Sequence, residues 1–415
     1  MKRKPKFGKL GSKLSKEKLS SSLSTVSSIR PGSIPLSIEF GVAGIKVIQL
    51  SGTNPSSIVA AAYLPTPDDL LDQPAKRLLF QMDALPKFLK GEKINASRAT
   101  SLIPSGQMIC KHLQIIPTEG VPIEQIASAQ LSAQIGCAPG ELLVRCRPVE
   151  AAQKNGKVEV ICYAASREFV GRIMGALKAA KLEPVGIHTE FDAIQRAMQL
   201  RNTAGEEGGS NPTLVLDLGS GSTKVLIVQG DNVLFARNIE LGARHLDEAI
   251  CHQLRCTMME AQEIRWNLES VVPQKVAAVA HEQQADETSS SVLDPIDGPN
   301  AEPVIEQVST TSHGPQVDLS EQLEMLTDEV SMCLRYHSAL IPGQRVDRVV
   351  FVGGLASQNQ ICHYIAKRLR LDGQVLDPLA CLARSGKVPA SGVDLRCAQP
   401  GWASVVGGAL SPTDL

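Results

Sequence analysis

The run Leu214-Val215-Leu216-Asp217-Leu218-Gly219-Ser220-Gly221-Ser222-Thr223-Lys224-Val225-Leu226-Ile227-Val228 constrains this chain more than any other. An apolar stretch stops at an acid, turns through small and hydroxylated residues, and leaves through a lysine into a second apolar stretch. That is how a strand-turn-strand hairpin is written. Gly219 and Gly221 carry no Cβ, so backbone N–H groups can close around an anion, while Ser220, Ser222 and Thr223 add hydroxyl donors. Lys224 supplies a point charge, and Asp217 an acid for a hydrated Mg²⁺ ion. Such a turn alone does no more than reverse the chain in many proteins. A second copy changes its meaning. Ser37 to Leu50 sets Glu39, Gly41 and Lys46 at the offsets of Asp217, Gly219 and Lys224, with Val42, Ala43 and Gly44 in the turn. Each copy is followed by another strand-like run, Ser57 to Tyr63 and Val233 to Ile239. A duplicated meander with an acid at each first turn predicts two similar lobes gripping one nucleotide from both sides.

Length and charge agree with that reading. A chain of 415 residues suits two domains. A net charge of −1 and 43% hydrophobic residues predict a soluble folded protein without general affinity for nucleic acid. The small net charge hides an asymmetry. Lys2, Arg3, Lys4, Lys6, Lys9, Lys13, Lys16, Lys18 and Arg30 face only Glu17, so the rest of the chain is acidic. The ten cysteines are scattered without a framework, as buried thiols in a reducing cytosol would be. Cys251, His252 and Cys256 form the one clustered set, which reads better as a partly buried helix than as a metal site. No apolar run reaches the ~18 residues that span a bilayer, and the basic start lacks the apolar core of a secretory signal.

The paired hairpins, together with Val349-Val350-Phe351-Val352-Gly353-Gly354-Leu355-Ala356, resemble the actin-like ATPase superfamily. The order of segments looks most like the PilM family of type IV pilus assembly, from about Pro35 to Leu410. The resemblance implies an α/β, two-lobed actin-like ATPase fold: duplicated mixed-sheet domains flank a nucleotide cleft, and a small α+β subdomain is inserted in domain I. It also implies ATP and Mg²⁺ as ligands, with Asp217 and Glu39 as the metal acids. The expected partner is the N-terminal cytoplasmic peptide of a PilN-like bitopic protein. That peptide would hold the chain in the cytoplasm at the inner membrane.

Within this frame, residues 1–34 form a basic, disordered tail, 35–200 domain I, 201–212 a loop and 213–410 domain II. Domain I carries a helix over Pro74 to Leu89, then a pair of strands within Thr100 to Pro117. The inserted subdomain covers about 118–184, with a helix from Ile123 to Ile135, strands at Glu141 to Arg147 and Val158 to Ala164, and a helix from Arg167 to Ala180. It is the expected partner-binding surface. A helix from Pro184 to Ala197 would then cross between the lobes. Domain II holds Gly242 just before a helix, where bare backbone suits a phosphate or ribose. The run Ala261-Gln262-Glu263-Ile264-Arg265 resembles the family's ribose- and base-contacting helix, with Gln262 and Arg265 at the contact positions. About 273–316 reads as an acidic, disordered insert, and Leu319 to Ala339 as a helix. Gly353, Gly354 and Leu355 would meet the adenine, and a packed helix falls near Trp402 to Leu410.

Hydrolysis also needs a group that positions the attacking water. Glu190 and Asp192 are the candidates. The first hairpin departs from the family pattern, with Glu39 for aspartate and Val42, Ala43 and Gly44 where serines or threonines are usual. Hydroxyl donors are thereby lost, so binding without efficient turnover is expected. Two contacts stay open: self-association, and attraction of the basic tail to anionic lipid. The alternatives are an FtsA-like filament protein, which would want a C-terminal amphipathic helix, and a small-molecule kinase of the same superfamily.

Overall fold

The computed structural model describes residues 35–52, 56–138, 140–154, 156–203, 211–268, 270–271, 317–384 and 390–413. The basic tail, most of the loop before the second hairpin and the acidic insert lie outside the described residues. Strands β1 (Leu36–Phe40), β2 (Gly44–Leu50) and β3 (Ile58–Pro65) form an antiparallel meander, followed by helix α1 (Pro74–Gly91). Strand β4 (Arg98–Ile103) joins β1 in parallel. The chain then leaves the sheet through β5 (Met108–Ile115), α2 (Ile123–Ile135), β6 (Leu142–Lys154) and β7 (Lys157–Ser166). It returns through α3 (Arg167–Ala179), β8 (Glu183–Thr189) and α4 (Glu190–Thr203).

The second lobe repeats the plan. Strands β9 (Thr213–Leu218), β10 (Thr223–Gln229) and β11 (Asn232–Ile239) form its meander, followed by α5 (Ala243–Leu254), α6 (Met258–Trp266) and α7 (Ser320–Leu340). Next come β12 (Arg348–Val352), α8 (Asn359–Leu369) and β13 (Asp372–Val375). A short β14 (Ala390–Ser391) pairs with β3, and α9 (Ala403–Ala409) closes the fold. Among the described residues the sheet orders are β14-β3-β2-β1-β4-β8, β11-β10-β9-β12-β13 and β5-β7-β6.

Each main sheet is apolar on both faces, as a sheet covered by helices must be. In the first lobe Leu36, Ile38 and Phe40 pack on Leu85 and Phe88 of α1 and on Phe169 and Ile173 of α3. The opposite face meets α9, where Val405 and Val406 join Ile48 and Leu50. Helix α4 lies against α9 and sends Phe191, Ile194 and Ala197 into the core of the second lobe.

Four sequence expectations shift. Residues 184–189 are strand, because Gly186, Ile187, His188 and Thr189 pair with β4; the helix begins only at Glu190. The strands within Thr100 to Pro117 belong to different sheets, β4 in the first lobe and β5 in the small one. Helix α3 packs on the core of the first lobe, since its apolar stripe Phe169, Val170, Ile173 and Leu177 faces that core. Helix α9 rests on the first lobe too, because a side chain on Gly407 would strike the Ala193 backbone of α4 and one on Gly408 the Ser37 and Leu102 side chains of β1 and β4.

The small sheet buries Leu113, Val160 and Cys162 beneath Ala127 and Leu131 of α2. It also touches the second lobe. The ring of His112 stacks on Phe235 at 4.8 Å, and its nitrogens lie 3.1 Å from Glu159 Oε1 and 3.2 Å from the Ala236 carbonyl oxygen. Tyr336 of α7 donates to the same Glu159 oxygen at 2.7 Å.

Candidate functional site

The two hairpin turns meet at a cleft of about 730 Å³ between the lobes. Register explains why acid and lysine stand together in each copy: Glu39 is paired with Lys46 across β1 and β2, and Asp217 with Lys224 across β9 and β10. Opposite charges in such cross-strand positions attract. Lys46 Nζ lies 3.3 Å from Glu39 Oε1 and donates to the Gly401 carbonyl at 2.6 Å. Lys224 Nζ lies 2.8 Å from Asp217 Oδ2 and 3.1 Å from Glu190 Oε2. Glu190 opens α4, so the first lobe supplies a carboxylate to the second lobe's lysine. The Ser105 N–H donates to Glu190 Oε2 at 3.0 Å, and the Ser105 and Ser222 hydroxyls are 3.2 Å apart.

Burial and neighbouring charges compete in shifting the acid–base groups here. Burial opposes the Lys224 ammonium, but Asp217 and Glu190 outweigh it and hold its pKa above the ordinary lysine value. For Glu39 burial wins over the attraction of Lys46, and its pKa is raised. Burial, and then Glu39, push Tyr63 up to about 12; its hydroxyl donates to the Ala43 carbonyl at 2.7 Å. At the mouth, Arg244 of α5 reaches across to Asp72 of the first lobe, and Arg77 lines the same wall. Burial and the neighbouring Arg244 cation lower the Arg77 pKa.

Two glycines let backbone approach closely. A Cβ on Gly242 would stand 2.6 Å from the Ser220 carbonyl oxygen, so only glycine lets α5 begin against the hairpin turn. There the N–H groups of Ala243 and Arg244 donate to the Gly219 and Ser220 carbonyls, each at 3.0 Å. Gly353 has φ +91°, and a Cβ there would fall 2.5 Å from Asp217 Oδ1.

A family model described as type IV pilus assembly protein PilM matches residues 37–276. This chain belongs to that family. Among solved structures, the "PilM-PilN type IV pilus biogenesis complex" is similar at 19% identity, covering 92% of this chain and 98% of that one, with a TM-score of 0.64. The shared fold is the two-lobed actin-like one. Ethanolamine utilization protein EutJ from Carboxydothermus hydrogenoformans matches at 12% identity over 91% of this chain and 89% of its own, TM-score 0.43. MreB5 of Spiroplasma citri bound to AMPPNP matches at 14% over 84% and 92%, TM-score 0.41. No curated protein sequence matches.

In this PilM-family chain the predicted residues line the cleft, with three exceptions: Asp192, Thr223 and Gly242. The Thr223 hydroxyl is buried and donates to the Leu241 carbonyl at 2.8 Å, so it holds β10 to the approach of α5. Gly242 stands behind the turn as a spacer. Asp192 points toward the small sheet, where Arg147 Nη2 lies 2.7 Å from its Oδ1. Being two residues after Glu190 on a helix turns it away from the cleft. Gln262 and Arg265 both lie on the wall, and Arg265 is also held within its own lobe. Its guanidinium is 2.6 Å from Asp247 Oδ1 and donates to Gln358 Oε1 at 2.8 Å. These bonds hold its guanidinium in a buried network at the edge of the cleft.

Sequence reasoning missed Asp72, Arg77, Ser105 and Trp266 on the cleft wall of this PilM-family chain. Trp266 directly follows Arg265 and is 47% exposed, enough for a ligand to reach its ring. Its place after the Ala261-Arg265 run was the available signal; the other three sit in segments whose partners are distant in sequence.

Proposed function

We propose that this chain is an ATP-binding scaffold of a type IV pilus or related secretion assembly platform. Family membership supports the pilus half. The observation that carries the nucleotide half is Lys224, held by Asp217 from its own lobe and Glu190 from the other, beneath two turns of matching register. A polyphosphate would take the backbone N–H groups and hydroxyls of Ser220 and Ser222, with Lys224 as counter-charge. The base would lie toward Gly354, Leu355, Gln262 and Trp266.

Mg²⁺ fits the acids at the floor. Glu39 Oε2 is buried without a hydrogen-bond partner, so a cation-bound water has a vacant acceptor there. Among the described residues no three His, Cys, Asp or Glu side chains are grouped as direct metal ligands, so Asp217 and Glu39 would hold the ion largely through water. The ion would screen phosphate charge. Glu190 is the remaining candidate to orient an attacking water. Its Oε2 is engaged by both Lys224 and Ser105, which favours binding with slow or no hydrolysis.

The partner we propose is the N-terminal cytoplasmic peptide of a PilN-like bitopic protein, docking on the first lobe near the small sheet and placing the chain at the inner membrane. No helix among the described residues is long and apolar enough to cross a membrane. Equilibrium binding of ATP and ADP with Mg²⁺, on wild type, Asp217→Ala and Lys224→Ala, tests the cleft, with phosphate release followed on the same samples. Binding at micromolar concentration that both substitutions abolish supports the proposal. Binding that neither substitution weakens would place the nucleotide elsewhere.

A further inference from the structure

Cys146 and Cys162 are register partners across β6 and β7, and their sulfur atoms lie 3.6 Å apart. Paired residues on antiparallel strands have Cα atoms ~4.5–5.5 Å apart. That falls inside the ~4.4–6.8 Å that a disulfide requires. Side-chain rotation alone can therefore bring the sulfurs to bonding distance. The two thiols differ in access. Cys162, on the central strand, has no exposed surface, whereas Cys146, on the edge strand, is partly exposed.

We propose that this pair is a thiol–disulfide exchange site, with Cys146 as the attacking thiol and Cys162 as the resolving one. The hydrogen bond between them supports these roles. It lowers the Cys146 pKa, against burial and the Glu124 carboxylate of α2, while the same bond and burial raise that of Cys162. The reaction partner is a small-molecule disulfide. The Cys146 thiolate attacks one of its sulfurs, forming a mixed disulfide and releasing one thiolate. Cys162 then gives up its proton, attacks Cys146 Sγ and expels the second thiolate. Overall a dithiol and a disulfide become a protein disulfide and two small thiols, with no other electron acceptor. Cys110 cannot intervene. It pairs with Tyr163, one residue along from Cys162, so it stands on the opposite face of the sheet.

The new bond would tie the edge strand to its neighbour one residue before Arg147, whose guanidinium grips Asp192 of α4. Oxidation would therefore act at the joint between the small sheet and the first lobe.

The test incubates the full chain with oxidised glutathione, blocks remaining thiols with an alkylating reagent, and maps peptides by mass spectrometry. In wild type, Cys146 and Cys162 should both escape alkylation, carry no glutathione and appear joined in one peptide pair. Cys162→Ser should retain glutathione on Cys146, and Cys146→Ser should leave Cys162 unmodified, with folding of both checked by circular dichroism. Exposed Cys397 serves as the control for reagent activity. A stable mixed disulfide at Cys146 in wild type overturns the proposal, as does a reduced pair under conditions that modify Cys397. The wild-type result stands without either variant.

Discussion

Val42 rests against Gly221, tip to tip across the cleft: a Cβ placed on Gly221 would stand 3.0 Å from Val42 Cγ2. The apolar side chain of the first turn thus fills space that a hydroxyl of the same turn would share with a phosphate. Replacing Val42 with serine frees that space and adds a donor. ATP affinity should rise about fivefold, the equivalent of one ~1 kcal/mol hydrogen bond. A titration showing equal or weaker affinity would mean that no phosphate sits between the tips.

Glu39 gives the fold a pH dependence of a definite sign. Burial raises its folded-state pKa, so the folded chain keeps the proton to higher pH than the unfolded chain does. The contribution is fully present below the ordinary glutamate range and is lost as pH rises through the folded-state value. Glu39→Gln keeps a neutral group at every pH. Its melting temperature relative to wild type should climb as pH rises above the ordinary glutamate range. A constant difference would show that Glu39 ionises normally.

Glu159 behaves in the opposite way. Burial alone would raise its pKa, but hydrogen bonds from His112 and Tyr336 outweigh burial and lower it. Stability from this group is present above the ordinary carboxylate range and fades as pH falls through the folded-state value. Tyr336→Phe removes one donor and should cost about 1 kcal/mol near neutrality, less in acid. Urea denaturation at several pH values checks this. A cost that does not change with pH would reduce Tyr336 to a packing role.

Gly407 marks the seat of α9 on α4. A Cβ there would fall 1.7 Å from the Ala193 carbonyl oxygen, which is backbone and cannot yield without moving the helix. Gly407→Ala should destabilise the chain by about 3 kcal/mol or more. Gly354→Ala, where a Cβ meets nothing within 4 Å, is the matched control and should unfold like wild type. Equal melting temperatures for the two variants would refute the packing account of α9.

The parts of this molecule legible in sequence are those written locally. The acid, glycine and lysine of each hairpin sit within eight residues of one another, so both the duplication and the pairing of Asp217 with Lys224 could be read. Helices α1, α2 and α7 carry apolar stripes that announce themselves. What stayed hidden depends on distant partners. His188 and Thr189 read as helix because the strand they pair with lies more than eighty residues earlier. Asp192 looked catalytic beside Glu190, yet its neighbour is Arg147 of the small sheet. Arg265 kept the expected charge, but Asp247 and Gln358 claim it. Neither partner could be inferred from the helix that carries it.

Because β14 and α9 lie on the first lobe, the whole second lobe is threaded between α4 and the segment that leads to β14. A chain emerging from the ribosome would therefore present the first lobe with one face uncovered, Ile48 and Leu50 among it, while the second lobe is being made. The half that is translated first is the half that finishes last, and a shortened chain that loses α9 would damage the N-terminal lobe rather than the C-terminal one.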